Sequence, residues 1–478
     1  MKNNVLRSLS KTLAALSICT AFVACEKDPG PIELNGFPDS TEFDIRQGCT
    51  MEIAFTVGNI KSDTYEITAV SDNEDFTASI NIAQDDPIQC VLVVTSPEYI
   101  YHESTFKVTI NITDSSTERL YTCDYIFNVK LSDDFQAMTE AANCFLVKPG
   151  ALVSFPAYSG PGSEKVSFST AELLWQDANG MVKMVDSEPE NSLVYVDLND
   201  EISGNAVIAL KNSTGEIVWS YNLWVSDYDP SEHAMTYTKD ADTYVFMDRY
   251  LGALSSEPGL AETNGNFYQW GRKDAFVGPG IEGSLKPMYD IEGNAVEAKR
   301  EKCSAEDNIP NGIMNPLTHY EGVSASNYGW LTISKEKFNN EMLDLWGAVS
   351  GNKSQYDPCP AGWMVPPVEA WGFYSSFKAE KVYSNPDEPV NKNMIGRYWK
   401  ASVESEDKYF FPAMGEVAHA SSYANGIGSN WPCNKAWTGT ADPANFRVYA
   451  TGVSPSSASP KGGISSGYEL PVRCIKVK

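Results

Sequence analysis

The sequence predicts a mainly β protein in which two N-terminal β-sandwich modules precede a C-terminal α+β domain. Short runs that alternate apolar and polar residues occupy residues 37–135 and again 137–230, which is the pattern of half-buried strands. From residue 233 to residue 478 the alternation fades, Gly, Pro, Ser and Asn become frequent, and two helices are predicted. A chain of 478 residues is also too long for a single hydrophobic core, so we expect about three domains.

Residues 1–24 predict a secretory signal peptide. Three basic residues precede an apolar run at 13–23, which is too short to span a bilayer. The run ends FVAC, and the small residues before Cys25 resemble the lipobox of bacterial lipoproteins, in which this cysteine is acylated. Residues 25–36 form an acidic linker whose opening, EKD, is similar to the surface-export signal of Bacteroidota-type lipoproteins. We therefore expect a lipid anchor in the outer membrane and display at the cell surface; an ordinary signal peptide with a chance cysteine is the alternative.

The charge of the chain argues against two classes of partner. The sequence has 63 acidic and 36 basic side chains, which gives a formal net charge of −27. Such a surface repels nucleic acid and anionic membrane, so neither is an expected partner. A negatively charged body suits a protein held off a membrane by a lipid.

The first β-rich segment, residues 37–135, is predicted to be an Ig-like sandwich of about seven strands. Its antiparallel strands are expected at five alternating runs separated by turn formers, namely 51–58, 64–70, 90–96, 106–113 and 123–131. No cluster of functional side chains stands out in it, so we expect a stalk or spacer.

The second β-rich segment, residues 137–230, closes with a predicted hairpin. NAVIAL is followed by a turn at 211–215 and then by EIVWSYNLWV. Trp219 and Trp224 lie five residues apart, so in a regular strand they face opposite sides. We expect one of them in the core and the other at a domain interface; an exposed carbohydrate platform is the alternative.

The C-terminal segment, residues 233–478, is predicted to contain two helices and long loops. Apolar residues at helical spacing predict one helix at 335–346, and Pro366-Pro367 favour the start of another at 368–377. Residues 401–468 are rich in Ser, Gly, Asn and Tyr, a composition that resembles antibody paratopes. This stretch is the predicted binding surface, with Tyr423, Trp431 and Trp437 as its aromatic anchors.

Eight cysteines remain outside the signal peptide and the lipid site. Four fall in the β-rich half and four in the C-terminal domain: Cys49, Cys90, Cys123, Cys144, and Cys303, Cys359, Cys433, Cys474. Export permits disulfides, but four thiols in one domain allow three pairings, and the sequence does not choose among them. Buried free thiols are the alternative. The spacings do not suit zinc, so no metal site is predicted.

Four phrases of the C-terminal segment resemble the FISUMP-type "major paralogous" domain. They are VFMDRYLGALSSEPG at 245–259, NFYQWGRKDAF at 266–276, YDPCPAGWMVPP at 356–367 and LPVRCIK at 470–476. The segments ANCFLVKPG and GNAVIALKNSTGEIVWSYNLWVSDYDP are similar to the module that precedes this domain in fimbrillin-family surface lipoproteins. The chain departs from the family pattern at three places. Tyr250 stands where the family often has Asn, Met364 stands where Arg is usual, and the phrase around Tyr398 is altered.

The resemblance implies a fold and a disulfide pattern. FISUMP-type domains are similar to C-type-lectin-like and formylglycine-generating-enzyme-like folds, in which the chain ends come together. Carried over, the resemblance pairs Cys359 with Cys474 and Cys303 with Cys433. On the chain-entropy model, a loop as long as the first one stabilises by about 4–5 kcal/mol.

Five residues of these phrases have two interpretations. Asp248, Arg249, Gln269, Trp270 and Arg272 are either a buried fold signature, which we favour, or a ligand pocket for a glycan or carboxylate. The string GPGIEG at 278–283 lacks the strand and helix of a dinucleotide site, so no cofactor is predicted. No catalytic residues are predicted either, although the fold resemblance leaves an oxidase like the formylglycine-generating enzymes as an alternative.

The expected function is therefore binding at the cell surface. We expect an adhesin or binding module, either an accessory or tip component of fimbriae or a receptor for a glycan or protein. The alternative is a structural pilus subunit that assembles with fimbrial partners by strand donation.

Overall fold

The computed structural model describes residues 30–38, 40–60, 64–85, 88–115, 117–161, 164–280, 284–322, 329–376, 380–382, 396–400, 405–417, 436–453 and 458–478. The chain divides into two compact units, Met1–Ser132 (unit 1) and Asp133–Lys478 (unit 2). None of the helices in these ranges is long and apolar enough to cross a membrane.

The described part of unit 1 is a β-sandwich of two four-stranded sheets. One sheet has the order β1-β3-β6-β5 and the other β2-β8-β7-β4, with β2 and β8 parallel and the other neighbours antiparallel. The strands are β1 (Glu33–Asn35), β2 (Glu42–Arg46), β3 (Thr50–Gly58), β4 (Tyr65–Ser71), β5 (Thr77–Asp85), β6 (Ile88–Thr95), β7 (Ser104–Asp114) and β8 (Arg119–Lys130).

The alternating pattern of the sequence makes the core of this sandwich. In β7, Val108, Ile110 and Ile112 are fully buried, while the residues between them are partly exposed. Period-two burial of this kind places every second side chain between the sheets. The five predicted runs coincide with five of these strands to within a few residues, and the β-sandwich class predicted for this segment is confirmed.

Unit 2 begins with two further four-stranded sheets that face each other. Their orders are β10-β16-β15-β12 and β13-β14-β11-β9. The strands are β9 (Phe135–Ala137), β10 (Cys144–Val147), β11 (Leu152–Pro156), β12 (Thr170–Gln176), β13 (Val182–Glu188), β14 (Leu193–Leu198), β15 (Gly204–Lys211) and β16 (Ile217–Val225). The predicted hairpin is present as β15 and β16, which pair antiparallel from Gly204–Val225 to Lys211–Ile217.

Strand β16 is buried on both faces. Its odd-numbered residues Trp219, Tyr221 and Leu223 pack into the core between the two sheets. Trp224 faces the other way, into a second core that it shares with residues of the C-terminal segment. Both tryptophans are at most 5% exposed, so the hypothesis of an exposed carbohydrate platform on this strand is wrong.

The C-terminal part of unit 2 has many short strands and little helix. Its sheets are β17-β18-β30-β22, β19-β29, β20-β21, β23-β24-β25 and β26-β27-β28. The strands are β17 (Met235–Lys239), β18 (Asp242–Phe246), β19 (Phe267–Gln269), β20 (Lys299–Lys302), β21 (Thr318–Glu321), β22 (Trp363–Met364), β23 (Glu380–Val382), β24 (Gly396–Lys400), β25 (Lys408–Pro412), β26 (Trp437–Asp442), β27 (Arg447–Val453), β28 (Ala458–Ile464), β29 (Glu469–Pro471) and β30 (Ile475–Lys476). The helices are α1 (Ile309–Met314), α2 (Lys335–Glu341) and α3 (Phe373–Ser376), with 3-10 turns at Ala261–Thr263 and Val368–Gly372.

Both predicted helices are shorter in the structure. Helix α2 starts where expected, because the Ser334 side chain accepts a hydrogen bond from the Lys337 N–H, but it ends at Glu341. Leu345 and Trp346 are still buried, in turns rather than in helix. The segment predicted as one helix at 368–377 is a 3-10 turn followed by the single turn of α3.

A disulfide and a buried ion pair hold the loop around Cys359. Cys359 is bonded to Cys474, 115 residues later. The Lys353 ammonium lies 2.5 Å from Asp357 Oδ1 and also donates to the Cys359 carbonyl at 2.7 Å. The Asp357 carboxylate in turn accepts from the backbone N–H groups of Cys359 and Val365, both at 2.8 Å. The rigid, proline-flanked stretch is therefore a structural clamp around a disulfide.

Candidate functional site

Gln269, Trp270 and Arg272 belong to a buried network and line no ligand pocket. Each is at most 2% exposed. Arg272 donates to the Asp274 carboxylate, to the side-chain oxygen of Gln269 and to backbone carbonyls of α1, of the loop after it and of β21. The Trp270 indole donates to the Thr438 carbonyl at 2.8 Å. Because these polar atoms are used internally, the fold-signature interpretation of these three residues applies and the pocket interpretation is wrong.

The same loop ties the β-sheets of unit 2 to its C-terminal part. The Lys273 ammonium lies 2.5 Å from Asp274 and 2.6 Å from Ser220 Oγ on β16, and it also lies over the Trp219 ring. All of these side chains are buried. Burial lowers the pKa of Lys273, whereas the adjacent cations Lys273 and Arg272 outweigh burial at Asp274 and lower its pKa. A buried, mutually satisfied charge cluster of this kind fixes how two elements pack.

Asp248 and Arg249 form a pair that does border a cavity. The Arg249 guanidinium donates twice to the Asp248 carboxylate, at 2.8 and 3.1 Å, and lies 3.8 Å from the centre of the Tyr228 ring. Burial alone would raise the pKa of Asp248, but the hydrogen bonds and charge of Arg249 outweigh it and lower that pKa. Asp248 therefore carries a negative charge at neutral pH, and the Arg249 guanidinium pairs with it.

The cavity beside Asp248 has a volume of about 440 Å³. It is open to solvent, and its described walls come from three separate segments. These are the segment before β17, the loop after β18, and the hairpin of β24 and β25. A concave site of this size with aromatic and charged walls is the usual form of a ligand pocket.

Both aromatic rings and carboxylates line the cavity. Tyr398 and Phe410 are cross-strand neighbours whose ring centres lie 5.5 Å apart, and Tyr409 follows on the same strand. The carboxylates on the wall are those of Glu232, Asp248, Glu257 and Asp407. The wall also includes two groups that can carry positive charge, Lys408 and His233.

A fully buried arginine holds two of these walls together. Arg473 donates to the Met247 carbonyl at 2.7 Å, next to Asp248, and to the Phe410 carbonyl at 3.0 Å, on β25. Its guanidinium also lies 3.6 Å from the centre of the Phe411 ring. The third wall is joined by the Tyr409 hydroxyl, which donates to the Ala234 carbonyl at 3.3 Å. Arg473 directly precedes the disulfide cysteine Cys474. The disulfide to Cys359 therefore also holds Arg473 in position.

The aromatic residues predicted as binding anchors are not confirmed as a surface. Trp437 is fully buried, and its indole donates to the Tyr268 carbonyl at 2.5 Å, so the prediction that it is exposed is wrong. Tyr423 and Trp431 lie outside the described residues, as does the lipidation site Cys25.

Among the cysteines, the structure forms the Cys359–Cys474 pair that the resemblance implies. The second implied pair includes Cys433, which lies outside the described residues. Its implied partner, Cys303, is a buried thiol near the Ala305 carbonyl. The four cysteines of the β-rich half are also free: Cys49, Cys90, Cys123 and Cys144. Within the described ranges, no group of three or more His, Cys, Asp or Glu side chains is placed to hold a metal ion.

Sequence reasoning missed most of the cavity wall. The quoted phrases include Tyr398 and Glu257 without assigning either to a site, and no sequence signal singles out Glu232, Asp407 or Tyr409. These residues lie in segments that are up to 177 positions apart and share no periodicity. The one signal that points to the cavity is Asp248 in the phrase MDRYLGA.

Comparisons with known proteins do not assign this site. No protein-family model and no curated protein matches the chain. Solved structures that match in part include the D00–D0 domain of intimin, with 14% identity and a TM-score of 0.17 over 40% of this chain and 96% of that one. The GspB Siglec domain matches with 12% identity and a TM-score of 0.17 over 24% of this chain and 65% of that one. A titin I-band fragment, I67–I69, matches with 10% identity and a TM-score of 0.15 over 46% of this chain and 84% of that one.

Proposed function

We propose that this chain is a lipid-anchored outer-membrane protein displayed at the cell surface, where unit 2 acts as an adhesin or binding module. The observation that carries the proposal is the open cavity of about 440 Å³ beside Asp248, whose wall combines aromatic rings with carboxylates. Ring faces offer flat apolar contact, and carboxylates accept strong hydrogen bonds, so such a wall can orient a polar ligand such as a glycan or a protein side chain.

The arrangement of the C-terminal segment supports a FISUMP-type, C-type-lectin-like fold as part of this proposal. Strand β18, near the start of the segment, pairs with β30 at its end through Phe246 and Ile475. The disulfide joins the segment before the Val368–Gly372 turn to the residue before β30. Adjacent chain ends and a disulfide to the last strand are what the resemblance implies.

Two alternatives have less support. Assembly by strand donation needs a sandwich with an open groove, whereas core residues such as Leu92, Val108 and Ile110 of unit 1 are fully buried. An oxidase needs a reactive pair of thiols. Burial raises the pKa of Cys303, and it raises the pKa of Cys144 to about 12, so both thiols are held in the protonated, unreactive form.

A binding screen on the lipid-free chain tests the proposal. The chain would carry Cys25→Ser and be applied to glycan arrays and to host and fimbrial proteins, with and without calcium. We expect selective binding that Tyr398→Ala removes. The matched control is Tyr449→Ala, because Tyr449 is a partly buried tyrosine on β27, outside the cavity. No ligand for the unmodified chain, or equal binding by both variants, would contradict the proposed role of the cavity.

A further inference from the structure

The exposed part of the cavity wall carries an excess of negative charge. Asp248 is matched by Arg249 behind it, so its charge is largely satisfied within the protein. Glu232, Glu257 and Asp407 also line the cavity, are exposed, and make no ion pair with any residue of the described ranges.

Among the described residues of the wall, Lys408 carries a positive charge, and one cation does not balance these three carboxylates. His233 also lies on the wall, and even a second positive charge there would leave the carboxylates in excess. The net charge of −27 adds a long-range field of the same sign, which attracts cations and repels anions.

The aromatic side chains on the same wall favour the same kind of ligand. Tyr398, Tyr409 and Phe410 present π-systems beside the carboxylates. The face of an aromatic ring attracts ammonium and especially guanidinium groups, and an exposed contact of this kind contributes a few-fold in affinity. A cation in this cavity would contact rings and carboxylates together, whereas an anion would meet both as repulsive groups.

We propose that the cavity binds a positively charged side chain, arginine or lysine, of a polypeptide partner. This inference rests on the proposed function of unit 2 as a binding module and specifies the chemistry of its ligand. The guanidinium or ammonium group lies against the rings of the β24–β25 hairpin, and carboxylates from all three walls, Glu232, Glu257 and Asp407, surround it. No covalent step is involved.

A pair of isosteric probes tests the charge requirement. Nα-acetyl-arginine amide and Nα-acetyl-citrulline amide have nearly the same shape, but only the first is charged. Binding of each to the lipid-free full chain would be measured by saturation-transfer NMR and calorimetry. We expect the arginine probe to bind about ten-fold more tightly than the citrulline probe, or more. Its affinity should fall when the salt concentration is raised from about 50 to about 500 mM, because salt screens exposed ion pairs.

Charge-neutral variants locate the effect. Glu257→Gln and Asp407→Asn should each weaken the arginine probe by roughly two- to five-fold, the range of an exposed ion pair. Glu292→Gln is the matched control, because Glu292 is an exposed acid of unit 2 outside the cavity. If all three variants weaken binding equally, the attraction is a property of the net charge and the inference is wrong.

The remaining outcomes separate this inference from the proposed function. Equal binding of the citrulline probe, or binding of glucosamine but not of the arginine probe, would overturn the polypeptide-cation inference. If a ligand from the screen requires Tyr398 but is insensitive to Glu257→Gln and Asp407→Asn, the proposed function stands and the inference fails. If neither the probes nor the screen gives binding, both fail.

Discussion

Replacing Asp357 by Ala should strongly destabilise unit 2, because it leaves a buried cation without its carboxylate. The side chains of Lys353 and Asp357 are 7% and 0% exposed, and their charged atoms lie 2.5 Å apart. Burial raises the pKa of Asp357 and lowers that of Lys353, so desolvation opposes both charges and each depends on its partner. Removing one member of such a pair costs about 3–5 kcal/mol, a large share of a typical domain stability of about 5–15 kcal/mol.

Tryptophan fluorescence is the assay that isolates this effect. The chain contains 11 tryptophans, all between Trp175 and Trp437, so every one of them belongs to unit 2. Denaturant unfolding followed at the tryptophan emission of the lipid-free chain therefore reports the stability of unit 2 without a signal from unit 1. We expect the midpoint to fall with Asp357→Ala by the equivalent of about 4 kcal/mol.

Asp344, which is less buried than Asp357, provides a control for the backbone hydrogen bonds within the same unit. Its carboxylate accepts two backbone hydrogen bonds, from Val349 and Ser350 at 2.9 Å, just as Asp357 accepts two, but none of the described residues forms an ion pair with it. Asp344→Ala should therefore cost about 1–2 kcal/mol.

The double variant Lys353→Met/Asp357→Ala removes both charges and should be more stable than Asp357→Ala alone, since no buried cation is left unpaired. Equal losses for Asp344→Ala and Asp357→Ala would refute the argument that the ion pair, rather than its backbone hydrogen bonds, holds the loop.

Three further outcomes follow from the packing of unit 2. A fragment of residues 233–478 should be insoluble or unfolded while 133–478 folds, as judged by circular dichroism and gel filtration, because strand β16 covers the core of the C-terminal part. Cys474→Ser should lower the stability of unit 2 by about 4–5 kcal/mol for a loop of 115 residues, and an unchanged unfolding midpoint would contradict this. Burial raises the pKa of Cys144 to about 12, above its value in the unfolded chain, so its contribution to stability is complete below about pH 9 and is lost as the pH rises toward 12. Cys144→Ala should flatten the alkaline loss of stability, and site-specific thiol labelling at pH 8 should modify exposed Cys49 but leave Cys144 unmodified until the chain unfolds.

Regular periodicity made the sandwiches predictable. In β7, STFKVTINITD alternates without interruption, so its strand and its buried face could both be predicted from the sequence. The same reasoning placed Trp219 and Trp224 on opposite sides of β16. The alternation could not show which residues pack against each face of β16. A strand that is buried on both faces has no polar face to distinguish the core side from the solvent side.

The C-terminal part was less predictable because its contacts are long-range. Trp437 sits in a segment rich in small polar residues, which suggested a surface, but its indole is satisfied by the Tyr268 carbonyl, 169 positions earlier. Composition describes a segment, whereas burial depends on what the fold brings over it. For the same reason, burial could be favoured for the phrase around Arg272 from the sequence, while the donors and acceptors that satisfy it could not be named.

The cavity beside Asp248 shows how a buried framework can position an exposed site. Met247 and Phe410 lie 163 positions apart, and both carbonyls accept from Arg473, the residue next to the disulfide cysteine Cys474. The buried Arg473 therefore acts one layer beneath the cavity, where it fixes the backbone of two of its walls. The side chains that would contact a ligand, such as Glu257 and Asp407, are exposed on that backbone. A wall built in this way can change its ligand chemistry by surface substitution without loss of the fold, because stability and recognition depend on different side chains.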